Sequence, residues 1–475
     1  MKNSVNTAVV GMAWGDEGKG KVTDEASENA EYVVRAEGGS NAGHTIKVGD
    51  TKFVGHLIPS GVVAGAKCLL GRGVRIELDQ FFAELDDLTK LGIKPQVWID
   101  DGAFLIFQWH KVLELWSELA KGSRRAYTTM RGMCSTAAAI GLRVNPKISM
   151  LLRSAELEKW LVDFYKVFEP VFTSSELLNN PSFQTMFGAV LTPEQALENL
   201  LSFSSRIYPY LIDVRHALFQ AWMAKQPIVF EGAQGLLLDP YWSPTYGFNT
   251  QGICTFAGLA QGTGLPMEAL GTKYGVFKAT YSRVGNGGFP SELGNDKLSN
   301  VEKRIPDDQK IAWLSAMLDK INKGHATDQE IGQYFRVIGA EYGATTGRPR
   351  RIGWLNLAEL AYSVQINWPD RLAFTKMDCL SGLKKVKVCV GHKMPNGQEL
   401  LLGQMPELAS DFSELVPVLR EMDGWSENIT GETSFEKLPK NAQEYVLAIE
   451  KFLGKPITII GTGPDREHVI KRVPA

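Results

Sequence analysis

The residues best placed to do chemistry begin at Gly15-Asp-Glu-Gly-Lys-Gly-Lys21, after the apolar run Ala8-Val9-Val10 and before a polar, helix-compatible segment from Lys21 to Ala30. Strand, glycine loop and helix in that order make a phosphate-binding loop, in which backbone N–H groups and a helix N-terminus face an anion. Gly15, Gly18 and Gly20 supply the turn, and Lys19 and Lys21 bring positive charge to it. Val22 stands where a Ser or Thr hydroxyl commonly holds Mg²⁺ in such loops. The loop also carries two acids of its own, Asp16 and Glu17, an arrangement that beside a phosphate calls for a cation between them.

Four more stretches combine glycine with polar or charged residues after a strand-like run: Glu37 to Thr45, Glu231 to Gly235, Tyr281 to Gly287 and Gly461 to Arg466. In a parallel sheet such strand ends converge on one edge, where ligands bind. Thr375-Lys-Met-Asp378 resembles the guanine-reading element of GTP-binding proteins. The carboxylate of Asp378 can accept from the ring N1–H and the 2-amino group, a pair that adenine lacks, while the Lys376 stem lies along the base.

The elements that must position these residues alternate. Strands are expected at Glu31–Arg35, Lys52–Ile58, Val97–Asp100, Ile228–Phe230, Lys273–Ala279, Leu372–Asp378 and Ile457–Ile460, with helices over 79–91 and 103–120. The stretch 124–144 is Gly-, Thr- and Arg-rich and reads as an anion-touching loop, followed by a mainly helical region to Lys225 that includes the capping box Thr192-Pro-Glu-Gln195. Ile311, Leu314, Leu318 and Ile321 share one helix face and Thr327-x-x-Glu330 caps another helix, so 294–339 reads as an inserted helical hairpin. Pro395-Asn-Gly397 marks a hairpin turn. The fold expected is α/β, a large mostly parallel sheet flanked by helices, of the phosphate-loop GTP-binding type, in one domain over 1–475.

With 44% hydrophobic and 22% charged residues in 475, the chain has an ordinary globular composition, and a net charge of −2 argues against nucleic acid or an acidic membrane as its main partner. Met1-Lys2-Asn3-Ser4 runs directly into the first strand without room for a signal peptide, and no apolar run is long enough to span a bilayer. Cys68, Cys134, Cys254, Cys379 and Cys389 lack metal-ligand spacing and read as reduced thiols of a cytoplasmic protein.

Together, Trp14 to Lys21, Asn41-Ala-Gly-His-Thr45, Glu231 to Gly235, Gly343-Ala-Thr-Thr-Gly-Arg348, Thr375 to Asp378 and Thr462 to Arg466 resemble the adenylosuccinate synthetase family, over nearly the whole chain and in the family's order. That resemblance implies a Mg²⁺-dependent ligase that joins IMP to L-aspartate at the expense of GTP, working as a homodimer. It implies Asp16 as the base for the purine N1 proton and, with Gly43, as a metal ligand. His44 would donate to the phosphoryl group in flight, and Gln234 would orient the 6-oxo region. Gly15, Glu17, Gly18, Lys19, Gly20, Lys21, Lys376, Asp378, Gly461 and Gly463 would bind GTP. Asn41, Thr129, Gln234, Asn249, Thr250 and Val284 would bind the nucleoside monophosphate, and Thr345, Thr346, Arg348 and Arg350 the aspartate.

The chain departs from the family pattern around the monophosphate. Tyr127-Thr-Thr-Met-Arg-Gly-Met133 replaces a more glycine-rich run, Ala139-Ile140 stands where a basic pair is usual, and Thr245 to Thr250 and Gly288 also differ. Relatives in some phages and archaea condense dGMP rather than IMP with aspartate; the phage forms commonly carry serine in place of the loop aspartate, and this chain keeps Asp16. IMP is therefore the expected nucleotide, with dGMP or GMP the alternative. A non-catalytic GTP-binding sensor is the alternative of another class, and it would not need Asp16 and His44 together.

Overall fold

The computed structural model describes residues 6–48, 51–295, 297, 299, 301–302, 304–343 and 347–473; of residues 44–48, 51–52 and 123 it describes the backbone alone. In chain order the strands are β1 (Thr7–Gly11), β2 (Tyr32–Gly38), β3 (His44–Val48), β4 (Thr51–Gly55), β5 (Lys67–Glu77), β6 (Val97–Asp100), β7 (Phe104–Ile106), β8 (Leu211–Ile212) and β9 (Ile228–Glu231). Then follow β10 (Thr272–Lys278), β11 (Tyr281–Arg283), β12 (Arg351–Gly353), β13 (Leu355–Asn356), β14 (Arg371–Thr375), β15 (Lys385–Lys393), β16 (Val416–Asp423), β17 (Ile457–Gly461) and β18 (Val469–Lys471).

One large sheet runs β18-β17-β14-β10-β1-β9-β2-β5-β6-β8, with β7 added alongside β5. Every pairing in it is parallel except β17 with β18. The strand period of two divides its side chains between two apolar layers. Val34, Leu69 and Phe230 pack with Leu218 and Leu259 of the helices Val214–Met223 and Phe256–Thr263. Val33, Cys68, Leu70 and Ile99 pack with Phe81, Trp109 and Phe164 of the helices Leu78–Lys90, Gln108–Lys121 and Ser154–Phe172. The helices Lys310–Asn322 and Asp328–Ile338 lie within 294–339, the second entered through a capping box at Thr327. All five cysteines are free.

The structure differs from the sequence expectation at several boundaries. The single helix expected over 103–120 divides, because the apolar run Phe104–Ile106 adds to the edge of β5 before the helix begins at Gln108. The loop expected over 124–144 contains the helix Met133–Gly141, whose Ser135 and Thr136 hydroxyls bond back to the Gly132 carbonyl at 3.1 and 2.6 Å. The strand expected to reach Ile58 stops at Gly55, because the N–H groups of His56, Leu57 and Ile58 turn to the buried carboxylate of Glu84 at 2.9–3.0 Å. Pro395-Asn-Gly397 does turn, with Gly397 at φ 87°, but the main partner of β15 is β16, farther along the chain.

The loop after β2 is held by an arginine. Arg35 is fully buried and donates to the carbonyls of His56, Leu57 (3.3 Å), Glu37 (3.3 Å) and Gly39 (2.9 Å). Gly38 needs to be glycine: its φ is 90°, and a Cβ would lie 2.8 Å from that of Ala233. Replacing Arg35 with Met strands these buried acceptors, so the variant should unfold at lower urea with a loss of about 3 kcal/mol, and an unchanged midpoint would refute this role.

Candidate active site

The phosphate loop is folded around one of its own acids. Glu17 is wholly buried and accepts from the N–H groups of Ala13 (3.1 Å) and Gly15 (2.8 Å) and from Lys19 Nζ (2.6 Å). Its carbonyl accepts from the Thr375 hydroxyl at 2.5 Å, tying the loop to the end of β14. Gly15, Asp16 and Gly18 all have positive φ (82°, 55° and 83°), and the helix Lys19–Ser27 starts directly after them. Val22, the residue in the usual hydroxyl position, is buried against Val9, Val276 and Ala373 and faces the sheet.

Two expectations change in consequence. The Glu17 carboxylate shapes the loop from within and does not reach out to a ligand. Lys21 donates to the carbonyls of Gly463 (2.7 Å), Asp465 (2.7 Å) and His468 (2.9 Å), so its ammonium braces the turn between β17 and β18 instead of facing the loop's anion. Burial pushes its pKa down to about 8.

Asp16 points the other way, with its side chain 30% exposed, and pairs with Arg350 Nη2 at 2.9 Å. The other guanidinium nitrogen, Nη1, reaches Glu341 at 2.9 Å. Glu341, absent from the sequence-level candidates, also accepts from Lys278 (2.9 Å to each oxygen), Lys376 (2.6 Å), the Thr280 hydroxyl (2.7 Å) and the Ser282 hydroxyl (3.1 Å). Burial alone would raise its pKa, but Lys278, Lys376 and Arg350 hold the carboxyl well below the usual range. Burial of Lys278 in turn lowers its pKa to about 8.

Several candidate residues present buried polar atoms with no protein partner: Asn41 Oδ1, both side-chain polar atoms of Gln234, and Asp378 Oδ1. Gln234 holds φ 50° at the end of β9, and a Cβ on Gly252 would come 3.2 Å from its Oε1. Unpaired polar atoms of this kind are costly in an ordinary core and are expected where a ligand completes the bonding. Asp378 follows Lys376, itself at φ 58°, in the short turn Met377–Leu380; burial raises its pKa. Gly461 and Gly463 flank Thr462, whose N–H and hydroxyl bond to His468 O (3.0 Å) and Glu432 O (2.8 Å).

At the opposite end Thr129 and Val284 are exposed, and the two loops meet where Asn286 donates to the Arg125 carbonyl at 3.1 Å. Asn249 is occupied within its own turn, accepting from Gly247 N–H (3.0 Å) and donating to Thr250 O (2.9 Å). Thr250 donates its N–H to Leu238 O at 2.8 Å. Two arginines that sequence reasoning missed hold this end in shape. Arg283 is buried over the Trp14 ring (4.1 Å) and donates to Gly288 O (2.6 Å) and Thr245 Oγ1 (3.0 Å). Arg351 pairs with Glu292 at 2.5 Å and donates to Gly287 O at 2.6 Å. Arg348 is exposed, and Gly43 is exposed beside the β3–β4 hairpin. Thr345 and Thr346 lie outside the described residues; for His44 the backbone alone is described, pairing with Gly55.

The parallel strands β1, β2, β9, β10, β14 and β17 thus deliver their C-terminal loops to one edge of the sheet. Residues 8–470 match the family model for adenylosuccinate synthetase. The chain belongs to the adenylosuccinate synthetase family. It is 36% identical to the adenylosuccinate synthetase of Aliivibrio fischeri, with 98% of each chain covered. It superposes on the fully ligated adenylosuccinate synthetase of Plasmodium falciparum with a TM-score of 0.82 at 30% identity, over 98% of this chain and 100% of that one. The cyanophage S-2L succinoaminodeoxyadenylate synthetase, solved with dGMP and with dATP as energy donor, shares the fold at a TM-score of 0.52 and 17% identity, over 98% of this chain and 94% of that one. The protein is accordingly a ligase that forms a C–N bond.

Lys21 gives the site's first test. Lys21→Met removes three hydrogen bonds from the β17–β18 turn, so amides in 462–469 should exchange hydrogen about ten-fold faster, equivalent to about 1.4 kcal/mol of easier local opening. Unchanged protection would show that the turn does not depend on this lysine.

Proposed function

We propose that this enzyme condenses IMP with L-aspartate to adenylosuccinate, using GTP and passing through a 6-phosphoryl intermediate. The observation that carries the reading is the placement of Asp16: a loop carboxylate with one face open and a guanidinium on the other, on the same sheet edge as the unpartnered Gln234 amide. A purine 6-oxo group is a poor leaving group. Asp16 removes the N1 proton, and the electron pair moves to O6, which attacks the γ-phosphorus of GTP as the bond to the β,γ-bridging oxygen breaks and GDP leaves. Gln234 binds the 6-oxo region, and Lys19 and the loop N–H groups balance phosphate charge. His44 donates to the phosphoryl group, and the aspartate amine then displaces phosphate at C6. Thr345, Thr346, Arg348 and Arg350 receive the aspartate carboxylates.

Guanine is read by Asp378 with Lys376 beside it, and Gly461 lets the end of β17 lie against the Thr375–Lys376 backbone while Gly463 makes space for the His468 ring, so that both glycines shape the guanine side. Thr129, Thr250, Asn249, Asn41 and Val284 surround the monophosphate, Asn249 through its turn. The described residues contain no group of three or more His, Cys, Asp or Glu that could hold a metal. One open carboxylate at Asp16 and the Gly43 carbonyl are nevertheless the sparse, hard oxygen set that Mg²⁺ takes when phosphate oxygens and water complete its shell. Bound there, Mg²⁺ would neutralise charge on the transferring phosphoryl group. The remaining partner in this reading is a second copy of the chain, in the cytoplasm; no described helix is long and apolar enough to cross a membrane.

The test supplies GTP, Mg²⁺ and aspartate with IMP, dIMP, GMP or dGMP in turn and follows phosphate release. IMP should give the highest kcat/KM; preference for dGMP would reassign the nucleotide, and no release with any would favour a GTP sensor. Asp16→Asn should lower kcat by about 10³-fold or more while GTP still binds, and an unchanged rate would remove Asp16 from the chemistry.

The depressed pKa of Lys21 adds a pH dependence. Its protonated form, with three donors, braces the GTP-side turn, and that form is lost as pH rises through about 8. GTP affinity should therefore be flat from pH 6.5 to 7.5 and fall by about ten-fold toward pH 9.5, with the dependence abolished in Lys21→Met. Isothermal titration across that range decides it.

A further inference from the structure

The cluster around Glu341 connects two parts of the site that are separate in sequence. We infer that Glu341 is a positioning residue that yokes the nucleobase-reading Lys376 to the catalytic Asp16 through Arg350. Its side chain is completely inaccessible, so it touches no substrate itself. Lys278, at the end of β10 and 2% exposed, clamps both of its oxygens at 2.9 Å and fixes the carboxylate to the sheet. Thr280 and Ser282 complete that anchoring from the following turn and strand. The outward-facing partners are Lys376, 29% exposed, and Arg350, 13% exposed, each held within 2.9 Å.

Charge explains why a carboxylate is needed. Lys278, Lys376 and Arg350 are three cations, and without Glu341 only Asp16 beside Arg350 and Asp378 near Lys376 would oppose them. Lys376 and Arg350 would then separate, drawing one away from the base and the other away from Asp16. With Glu341 in place the buried Lys278 is neutralised, and Lys376 and Arg350 remain the outward-facing cations, which suits the approach of a polyphosphate. The described contacts join all these groups through direct hydrogen bonds, so no intermediate displacement is required to link the two ends.

The inference rests on the proposed GTP-dependent reaction, and its test separates the two. Glu341→Gln keeps the shape and one acceptor oxygen but removes the charge. Because that strands the buried Lys278, Glu341→Gln with Lys278→Met removes the buried pair together and leaves the facing groups at the same net charge as in the wild type. For a yoke, the folded variants should lose about 100-fold in kcat and about ten-fold in GTP affinity together. Arg350→Met should lower kcat with little change in GTP affinity, Lys376→Met the reverse, and adding either to the Glu341 variant should cost much less than its own single effect. A folded double variant with wild-type kcat and affinity, or effects that simply add, would overturn the inference. Wild-type protein that binds GTP but releases no phosphate would refute the reaction instead, and the yoke would then be judged by non-additivity of Glu341 and Lys376 in GTP affinity.

Discussion

The active-site edge depends on a carboxylate that is never presented to a ligand. Glu17 is buried where the loop after β1 meets the ends of β9 and β14, and it binds two backbone N–H groups and the Lys19 ammonium of its own loop. A loop of glycines and lysines otherwise has many accessible conformations, and fixing each residue costs about 1–2 kcal/mol. An internal acceptor with three donors selects one of them. It also demands space: a Cβ on Gly11 or Gly235 would lie 2.5 or 2.2 Å from a Glu17 carboxylate oxygen. The glycine of the strand end at Gly235 is therefore there partly for a side chain on another strand's loop, and the convergence of motifs on one edge is a matter of packing as well as topology.

This arrangement divides the two loop acids by solvent. Glu17, enclosed, is a structural anion; Asp16, one residue earlier and with φ 55°, is turned outward against Arg350. The same division applies to the lysines, with Lys19 on the loop's own acid and Lys21 on the carbonyls of the β17–β18 turn. Adjacent charged residues in a glycine loop thus do different work because the backbone sends successive side chains to different sides. Val22 belongs to this pattern too: the position that carries a hydroxyl in other phosphate loops is used here to seat the helix on Val9, Val276 and Ala373.

Strands β1, β2, β6, β9, β10, β14 and β17 were legible because short apolar runs bounded by turn residues are local signals, whereas β5, Lys67–Glu77, was not among the expected strands although it lies between β2 and β6. The β7 strand was not, since Phe104–Ile106 is three residues long and its partner, Arg75–Glu77, is set by tertiary packing. Among the site residues, those inside a dense motif were readable by type: Asp16, Gln234 and Asp378 are polar residues at strand ends. Glu341 was not, although it lies just before Gly343-Ala-Thr-Thr, because an isolated Glu after a helix carries no pattern; its meaning comes from Lys278 and Lys376, 63 and 35 residues away in sequence. Arg283 and Arg351 escaped for the same reason, and burial is the only signal that distinguishes them from solvated arginines.

The departures around the monophosphate end now have a structural setting. At that end loops and the short strands β11 and β12 bond to one another: Asn286 reaches the Arg125 carbonyl, Arg351 holds the Gly285–Gly287 turn, and Arg283 joins Thr245 to Gly288. Substitutions at its exposed positions, such as Thr129 and Val284, can accumulate without disturbing Glu17, whereas Arg283, stacked on Trp14, ties this end to the loop after β1. The edge around Asp378 has less freedom, since Thr375 bonds to the Glu17 carbonyl, Lys21 to that of Gly463 and Lys376 to that of Gly339, each joining segments distant in sequence. For the proposed reaction, a change of nucleotide preference is thus physically easier at the loops carrying Thr129 and Val284 than in the loop after β1, where the proposed base Asp16 is held between solvent and Arg350.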